Sequence, residues 1–335
     1  MELPLPVGFS PALVERAGAG GGMIRGMSWQ RFVDTALDRS LLGYTRVGCA
    51  VRRAWWPADA PAGALAGRVV VVTGAKAGLG FAAALGLARL GASLRLVVRG
   101  DGGRARELIR RAVPGADVTV DRCDVSLLSE VRDLAAGLGR VDVLVHNAGV
   151  LPSARTETAE GNEVMLATHV LGPHLLTSLL RDRLPVGARV IWVASGGMYS
   201  QPLVVDDLQY ERGEYRPTTG YARTKRMQVV LARLWSQRLD GVAVHSTHPG
   251  WANTGGVATS LPRFHAVTRP LLRSPERGAD TIVWLAAAKE PGWSTGLLWH
   301  DREVRPLHYL RSTYERSQRP SALWDGVERL TRSAG

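Results

Sequence analysis

Short apolar runs alternate with helical patterns along most of this chain, and that alternation limits the fold more than any other feature of the sequence. The runs are continuous rather than interleaved with polar residues, which is typical of parallel strands that helices cover on both faces. Such alternation predicts an α/β fold, with a doubly wound parallel sheet in a single domain. The predicted strands are residues 68–73, 93–98, 117–121, 141–146, 189–194, 242–247 and 296–299. The predicted helices are residues 79–90, 104–112, 127–138, 160–183, 220–239 and 275–289.

Composition indicates a folded protein in a reducing compartment. The chain has 335 residues, of which 45% are hydrophobic, enough for a sizeable core, and this excludes general disorder. Its two cysteines, Cys49 and Cys123, give no disulfide framework. No apolar run reaches the ~18–20 residues of a transmembrane helix, and residues 1–26 lack the compact apolar core of a secretory signal. We therefore expect a cytoplasmic protein, with peripheral contact at a membrane left open.

The net charge of +12 does not by itself identify a partner. A basic protein can bind nucleic acid or an anionic membrane. Here the arginines are scattered along the sequence, and no zinc-ligand spacing or other nucleic-acid motif accompanies them. We interpret the excess as a compositional bias toward arginine and expect no nucleic-acid partner.

Four regions follow from these patterns. Residues 1–26 are predicted to be disordered, residues 27–60 to form an amphipathic helical extension, residues 61–301 to form the main domain, and residues 302–335 to form a C-terminal tail that is helical in part. In the extension, aromatic and aliphatic residues fall near helical spacing with charged residues between them. Such a segment fits either a membrane interface or packing on protein. Packing on protein is favoured, because aspartates interrupt the cationic face.

The first predicted strand runs into a glycine-rich turn, T-G-A-K-A-G-L-G, at residues 73–80. Gly74, Gly78 and Gly80 lie between a strand and a helix, where bare backbone can approach a pyrophosphate at the helix N-terminus. A tight turn that merely needs glycines is the alternative. The strand before the turn, the helix after it and its place on the first strand favour a dinucleotide cofactor.

Tyr221 and Lys225 lie four residues apart in Y-A-R-T-K, on one face of a predicted helix. A cation beside a phenol favours phenolate and lowers the pKa of the tyrosine, and a phenol tuned toward neutrality can act as a general acid or base. The alternative is a surface cation beside an aromatic ring. Composition favours the catalytic interpretation, because the chain has only three lysines, and arginine would be expected if any basic residue served at position 225.

Together these residues resemble the short-chain dehydrogenase/reductase family over roughly residues 67–301. The marks of that family occur here in order: the turn at residues 73–80, Asp124 after the third strand, Asn147-Ala148-Gly149 after the fourth, Ser195 after the fifth, Tyr221 and Lys225, and Pro249-Gly250 after the sixth. Each mark is modest alone, but six in this order are specific. Two stretches, residues 194–198 and 248–252, also resemble the subgroup of dehydrogenase/reductase SDR family member 12. The resemblance implies a Rossmann-like fold and an NAD(P)-dependent oxidoreductase that interconverts a carbonyl and an alcohol.

The resemblance also implies roles for individual residues. Ser195 would hydrogen-bond the substrate oxygen, Tyr221 would exchange a proton with that oxygen, and Lys225 would lower the pKa of Tyr221 and hold the nicotinamide ribose. The residues expected to bind the cofactor, besides Tyr221 and Lys225, are Thr73, Gly74, Lys76, Gly78, Leu79, Gly80, Asp124, Val125, Asn147, Ala148, Gly149, Pro249, Gly250 and Thr254.

Cofactor choice depends on the end of the second strand. An acidic residue there would hold the ribose hydroxyls of NAD and repel a 2′-phosphate. This chain has Arg99 instead, which suits the 2′-phosphate of NADP, and Lys76 in the glycine turn could assist. Asp101 lies two residues later and keeps NAD(H) open. We expect NADP(H).

One residue departs from the family pattern. The family often has an asparagine on the long helix, three residues before a glycine, that supports a proton relay, and here His169 stands three residues before Gly172. Histidine donates and accepts hydrogen bonds and titrates near neutrality, so a relay could persist in altered form. A core histidine satisfied by backbone is the equal alternative. The hypothesis is that His169 belongs to the catalytic set through proton transfer.

The substrate side is expected to be apolar. Met198, Tyr199 and Trp251, with Leu151 and Trp299, would form a wall with few polar groups, which suits a small lipophilic carbonyl or alcohol. Plain core or loop packing is the alternative for each of them.

Two candidate functions result. The first is the NAD(P)-dependent oxidoreductase described above, which we also expect to be a homo-oligomer. The second is a catalytically idle binding or regulatory protein on the same fold, at a membrane surface. The intact set of Ser195, Tyr221 and Lys225 argues against the second.

Overall fold

The computed structural model describes residues 29–253, 262–317 and 319–332. At its centre lies a sheet whose strands are β1 (Val69–Thr73), β2 (Ser93–Val98), β3 (Val118–Arg122), β4 (Val143–His146), β5 (Arg189–Val193), β6 (Ala243–Thr247), β7 (Leu298–His300) and β8 (Glu303–Arg305). Their order across the sheet is β3-β2-β1-β4-β5-β6-β7-β8, and every neighbouring pair is parallel except β7 and β8. The strand order reverses beside β1, as in Rossmann-like folds. The predicted fold class is therefore confirmed.

Helices cover both faces of the sheet. They are α1 (Trp29–Asp38), α2 (Arg46–Arg52), α3 (Gly78–Arg89), α4 (Gly103–Ala112), α5 (Leu128–Gly137), α6 (Val164–Leu166), α7 (Gly172–Leu179), α8 (Pro217–Ser236), α9 (Pro262–Thr268), α10 (Pro275–Ala287), α11 (Arg311–Glu315) and α12 (Pro320–Arg332). Apolar residues of α3, α4 and α10 pack on one face, and those of α5, α7, α8 and α12 pack on the other. Every residue of β4 and β6 is consequently buried, including the polar residues His146, His245, Ser246 and Thr247.

The helix predicted over residues 160–183 starts later and is not uniform. Glu163 caps it, because its carboxylate accepts a hydrogen bond from the backbone N–H of Leu166 at 2.7 Å. Between α6 and α7 the chain forms a π-helical segment, Ala167–Leu171. Such segments are often found at functional sites, and this one carries His169.

Strand β8 was not predicted from the sequence. The β7–β8 hairpin turns at Asp301 and Arg302, whose φ values of 53° and 58° both lie in the left-handed region. Two such residues in a two-residue loop form a type I′ turn, in which glycine is usual at the second position. Arg302 stands there, so the ordinary hairpin signal is missing. Ionic contacts hold both side chains instead, Asp301 with Arg52 and Arg273, and Arg302 with Asp280.

Residues 29–56 form a bent segment, here called the strap, rather than one helix. A 3₁₀ turn at Leu41–Tyr44 separates α1 from α2, and a second turn, Arg53–Trp55, follows α2. One side of the strap packs on the main domain, where Asp34 binds Arg305 of β8. None of the helices within the described residues is long and apolar enough to cross a membrane. The segment predicted to be disordered, residues 1–26, lies outside the described residues.

Candidate active site

A cavity of about 1200 Å³ opens at the carboxyl ends of the central strands. Its lining comes mainly from the turns that follow β1 to β6, namely residues 74, 76–80, 97–100, 123–125, 147–152, 193–195 and 249–252. Helix α8 adds Tyr221 and Lys225. Ligands of doubly wound sheets bind at this edge. Turns that are far apart in the sequence therefore meet in one site.

The glycine turn after β1 forms a cradle of bare backbone. Gly74 has a φ of 68°, and a Cβ there would lie 2.8 Å from the Cα of Ala148. A Cβ at Gly80 would lie 2.3 Å from the carbonyl oxygen of Gly74. Neither position can carry a side chain without a shift of the backbone. Because α3 begins at Gly78, unpaired N–H groups of its first turn lie in the cradle, which suits a pyrophosphate.

Thr73 and Asn147 fix this cradle from behind. The Thr73 hydroxyl oxygen accepts hydrogen bonds from the backbone N–H groups of Asn147 and Ala148, at 3.0 and 3.1 Å. The Asn147 side-chain amide donates to the carbonyls of Thr73 and Gly74, at 2.8 and 3.3 Å. Thr73 does not itself line the cavity, whereas Asn147 does. The predicted role of Thr73 in binding the cofactor is thus indirect.

Two cations line the cavity near the ends of β1 and β2. They are Lys76 and Arg99, and the Arg99 side chain is 70% exposed. The Nε atom of Arg99 lies 3.9 Å from Oδ2 of Asp124, which also lines the cavity. Asp101 does not line it, because its carboxylate accepts a hydrogen bond from the N–H of Gly103 at 2.8 Å, at the start of α4. One oxygen of the acidic residue that kept NAD(H) open is therefore bonded at the start of α4.

Ser195, Tyr221 and Lys225 lie together on one wall of the cavity. Ser195 directly follows Ala194 after β5, and its hydroxyl lies near enough to the Tyr221 phenol to act on the pKa of Tyr221. The Lys225 ammonium donates to the carbonyl of Val193 at 2.8 Å and lies 5.5 Å from the centre of the Tyr221 ring. The end of β5 thus orients both the hydroxyl and the ammonium toward the phenol.

Burial shifts the pKa values of Tyr221 and Lys225 in the directions that favour the neutral form of each side chain. It raises the pKa of Tyr221, and the nearby Ser195 hydroxyl opposes that rise. It lowers the pKa of Lys225 to about 7. The expectation from the sequence that Lys225 would lower the pKa of Tyr221 stays a prediction, since burial is the main cause of the shift seen here. At neutral pH the phenol therefore keeps its proton and can donate it.

His169 is buried and does not line the cavity. Its Nε2 accepts a hydrogen bond from the N–H of Val150 at 3.0 Å, so its proton must be on Nδ1. Nδ1 then donates to the hydroxyl of Thr224 at 2.8 Å, and that hydroxyl donates to the carbonyl of Tyr221 at 2.9 Å. Burial, with the charge of Lys225, holds the pKa of His169 well below its usual value. Both ring nitrogens of a neutral imidazole are thus occupied.

These contacts favour a positioning role for His169. It links the loop after β4, through Val150, to the helix that carries Tyr221, through Thr224. Its part in proton transfer stays a prediction, since neither nitrogen reaches the cavity. Thr224 lies inside the Y-A-R-T-K motif, but nothing in the sequence pairs it with a residue 55 positions earlier.

Of the three predicted substrate residues, Trp251 lines the cavity and the other two do not. Met198 is buried in a small apolar cluster, and the Tyr199 hydroxyl donates to the carbonyl of Pro306 at 2.9 Å. The prediction was wrong for Met198 and Tyr199, because the 3₁₀ turn Gly196–Ser200 directs both side chains into the protein.

Three threonines that line the cavity were not predicted, Thr156, Thr168 and Thr218. They add hydroxyl groups to a wall that was expected to have few polar groups. Leu151 lines the cavity, whereas Trp299 is buried in the core. The predicted cofactor residue Thr254 lies outside the described residues.

The strap reaches the back of the same site. The carbonyl of Tyr44 accepts a hydrogen bond from the N–H of Trp251 at 2.8 Å, and its ring stacks on that of Trp251 at 6.0 Å. The Tyr44 ring also packs on His248 at 4.9 Å, and a Cβ at Gly196 would lie 3.3 Å from it. The loops that carry Ser195 and Trp251 therefore both rest on Tyr44. The long separation in sequence hid this contact from pattern reasoning.

Behind Tyr44 lies a group of charged side chains that we call the ionic cluster. Its members are Arg52, Arg273, Arg305, Asp34, Asp38 and Asp301. Asp301 binds Arg52 at 3.1 Å and Arg273 at 2.5 Å, and all three side chains are 1% exposed. Asp34 binds Arg52 and Arg305, at 2.7 and 2.6 Å. Three positive charges face three negative ones, as buried charges require.

Comparison with known proteins agrees with this site. The family model for the short chain dehydrogenase matches residues 68–203. Dehydrogenase/reductase SDR family member 12 of Bos taurus is 37% identical over 255 residues, which cover 72% of this chain and 79% of that protein. The chain belongs to the short-chain dehydrogenase/reductase family. Polyprenol dehydrogenase of Mus musculus is 35% identical over 80% of this chain and 85% of its own length. Retinol dehydrogenase 13 of Homo sapiens is 32% identical, over 67% of this chain and 73% of that protein.

Solved structures share the fold. An uncharacterized protein from Mycobacterium Paratuberculosis matches with a TM-score of 0.66 and 29% identity, over 83% of this chain and 97% of that one. The angucycline C-6 ketoreductase LanV was solved with bound NADP. It matches with a TM-score of 0.59 and 23% identity, over 73% of this chain and 97% of that one. As a member of this family the protein is an oxidoreductase that acts on CH–OH groups with NAD(P).

Proposed function

We propose that this protein interconverts a carbonyl and an alcohol on a small lipophilic substrate, with NADP(H) as cofactor and Ser195, Tyr221 and Lys225 as catalytic residues. The observation that carries the proposal is that Ser195, Tyr221 and Lys225 line the same cavity as the glycine cradle. A phenol and a hydroxyl side by side can both reach one substrate oxygen. Few structural roles would require this pair in a cavity.

The residues present fit a dinucleotide. The bare backbone at Gly74 and Gly80 leaves space for the pyrophosphate, and Asn147, Ala148 and Gly149 extend the same wall. Gly78, Leu79, Val125, Pro249 and Gly250, which were also expected to bind the cofactor, line the cavity too. Bound NADP(H) would supply or accept the hydride, and the protein would set its position.

The proton chemistry belongs to the chain's own side chains. In the reducing direction Tyr221 would pass its hydroxyl proton to the substrate oxygen, which Ser195 holds by a hydrogen bond. Loss of that proton leaves a phenolate, and the nearby Lys225 ammonium stabilises its negative charge. The raised pKa of Tyr221 and the lowered pKa of Lys225 thus describe the pair before proton transfer.

The preference for NADP(H) rests on charge at the end of β2. Arg99 and Lys76 supply two cations to the cavity wall there, and Asp101 is directed to α4. A 2′-phosphate would gain from both cations, whereas the 2′-hydroxyl of NAD(H) would find no free carboxylate of Asp101.

A lipophilic substrate is supported by the outer wall of the cavity. Leu151, Pro152, Trp251 and Leu272 line it, and such walls favour apolar ligands. Two relatives are named for retinol and for polyprenol, which are lipid alcohols. The threonines of the same wall would bind a second polar group of the substrate.

The test is a panel of lipophilic ketones and aldehydes with NADPH, comparing the wild type with Tyr221→Phe. We expect turnover to fall by ~10³-fold in Tyr221→Phe, a typical loss for an acid–base group, with NADPH binding unchanged. Tyr199→Phe is the matched control, because Tyr199 is buried outside the cavity, and it should keep its turnover.

Retained turnover in Tyr221→Phe would contradict the proposed centre. No detectable nicotinamide binding by the wild type would instead favour the catalytically idle protein. The expected homo-oligomer stays a prediction, which light scattering would measure.

A further inference from the structure

The outward side of the strap is both apolar and cationic. Trp29 is 75% exposed, Phe32 55% and Leu41 67%. We call the exposed large apolar and basic residues of this side the outer face: Trp29, Phe32, Arg39, Leu41, Leu42, Arg46, Val47, Val51 and Arg53. The only acidic residues between positions 29 and 54 are Asp34 and Asp38, and neither belongs to this face. Large apolar side chains are thus mixed with three positive charges, those of Arg39, Arg46 and Arg53.

The two aspartates are turned toward the domain. The side chains of Asp34 and Asp38 are 18% and 11% exposed, and both bind Arg52 and Arg305. From the sequence, these aspartates were expected to interrupt a cationic face. In the structure they neutralise buried arginines instead. The strap therefore has one side that packs on protein and another whose large exposed residues are apolar or positively charged.

The outer face is rigidly connected to the wall of the cavity. Tyr44 of the strap accepts the hydrogen bond from Trp251, which lines the cavity. Arg273 donates to the carbonyl of Gly43, and the neighbouring Leu272 lines the cavity while Leu271 is 38% exposed. The strap therefore contacts the segments that carry Trp251 and Leu272 of the cavity wall.

We propose that the outer face docks on the surface of an anionic phospholipid bilayer. Trp29 and Phe32 would enter the boundary between headgroups and acyl chains, and the arginines would contact phosphates and anionic headgroups. An amphipathic segment of this kind binds in that boundary more strongly as its buried apolar area grows, and each arginine near an anionic surface adds to the binding. This inference goes beyond the proposed function and does not depend on it.

Charge disfavours the other occupants of this face. In a symmetric dimer the face would meet its own copy, so the arginines of both copies would oppose each other. Residues 1–28 contain two glutamates and two arginines, and they offer no net negative charge to this face. Nucleic acid is bound mainly through its phosphates, which would leave the exposed leucines and valines without a role.

The experiment is sedimentation of the full chain with vesicles, either of phosphatidylcholine alone or of equal parts of phosphatidylcholine and phosphatidylglycerol. We expect binding to the anionic vesicles only, weakened by salt. Trp29→Ala/Phe32→Ala should bind at least about tenfold more weakly, since each ring contributes ~1.5–3 kcal/mol when buried. Arg39→Glu/Arg53→Glu should also bind the anionic vesicles at least about tenfold more weakly.

Matched controls lie at the opposite edge of the sheet, where α3, α7 and α10 end. Trp293→Ala removes a tryptophan that is 54% exposed, and Arg89→Glu/Arg181→Glu reverses two exposed charges. Both should bind anionic vesicles like the wild type. Each variant should keep the thermal midpoint and the NADPH affinity of the wild type, which shows that it is folded.

Several results would overturn the proposal. The proposal would be wrong if the wild type did not bind anionic vesicles, or if the control variants lost as much vesicle binding as the outer-face variants. It would also be wrong if deletion of residues 1–28 abolished vesicle binding. A dimer in light scattering that Trp29→Ala/Phe32→Ala dissociates would assign the face to a second copy, and retention on duplex DNA without vesicle binding would assign it to nucleic acid. Because sedimentation does not use turnover, failure here is distinct from failure of the proposed reaction.

Discussion

The loop from Pro249 to Trp251 separates two regions that are held in different ways. On the cavity side the turns are fixed by bare backbone and by neutral hydrogen bonds, such as those that Asn147 donates to Thr73 and Gly74. On the strap side the ionic cluster holds the loop, because Arg273 binds both Asp301 and the carbonyl of Tyr44. Neutral hydrogen bonds thus hold the cofactor cradle in place, whereas ion pairs hold the region behind it.

This difference determines where the fold is vulnerable. A neutral hydrogen bond contributes about 1 kcal/mol to the free energy of unfolding, so the cradle is stabilised by many small terms. In the ionic cluster each charge depends on its partners, and removal of one leaves another buried without compensation. Single substitutions should therefore lower the free energy of unfolding more on the strap side than on the cavity side, although the chemistry lies on the cavity side.

The largest expected effect is that of Asp301→Asn. Asparagine tolerates the left-handed conformation at this turn and keeps the shape of the side chain, but it removes the charge that Arg52 and Arg273 share. We expect the free energy of unfolding in urea to fall by about 3–5 kcal/mol. The control is Asp59→Asn, since Asp59 is 82% exposed where it binds Arg302 and should cost less than ~1 kcal/mol. Equal losses of stability in the two variants would show that the ionic cluster is no more sensitive to the loss of a carboxylate than an exposed ion pair is.

A smaller effect, and one that depends on pH, is expected at Lys225 on the cavity side. Its pKa is lowered from 10.5 to about 7. Between these values the unfolded chain keeps a proton that the folded chain has lost, so this group makes stability rise with pH. From pH 7 to about pH 9.5 the gain is roughly 3 kcal/mol, at 1.36 kcal/mol per pKa unit. Lys225→Met should abolish that gain.

The measurement is urea denaturation of the wild type and Lys225→Met at several pH values. The variant should be the more stable protein at pH 7, with its advantage shrinking as the pH rises. Lys289→Met removes an exposed lysine and should follow the wild type throughout. If all three proteins responded to pH in parallel, the pKa of Lys225 would not be shifted by burial.

The same contrast explains what the sequence could predict. The cradle at residues 73–80 and the pair Tyr221 and Lys225 are local patterns, in which spacing alone places the groups. Asp301 meets Arg52 across 249 positions, and no period or turn signal connects such residues. His169 was identified as a departure from the family pattern, but its role depended on Val150, which only the fold brings to it. Met198 and Tyr199 were misplaced because one 3₁₀ turn sets the direction of their side chains.

The smallest expected effect is that of Arg99→Ala, at the entrance of the cradle. The Arg99 side chain is 70% exposed, so its contact with a 2′-phosphate is screened by solvent and contributes about 1 kcal/mol. The Kd for NADPH should therefore rise about fivefold, while the Kd for NADH stays unchanged, both followed by cofactor fluorescence. Arg89→Ala, at the far end of α3, should change neither value. If both cofactors weakened equally in Arg99→Ala, the residue would support the cavity wall rather than select the phosphate. A shift toward NADPH in Asp101→Asn would likewise show that this carboxylate, despite its bond to Gly103, contributes to the choice of cofactor.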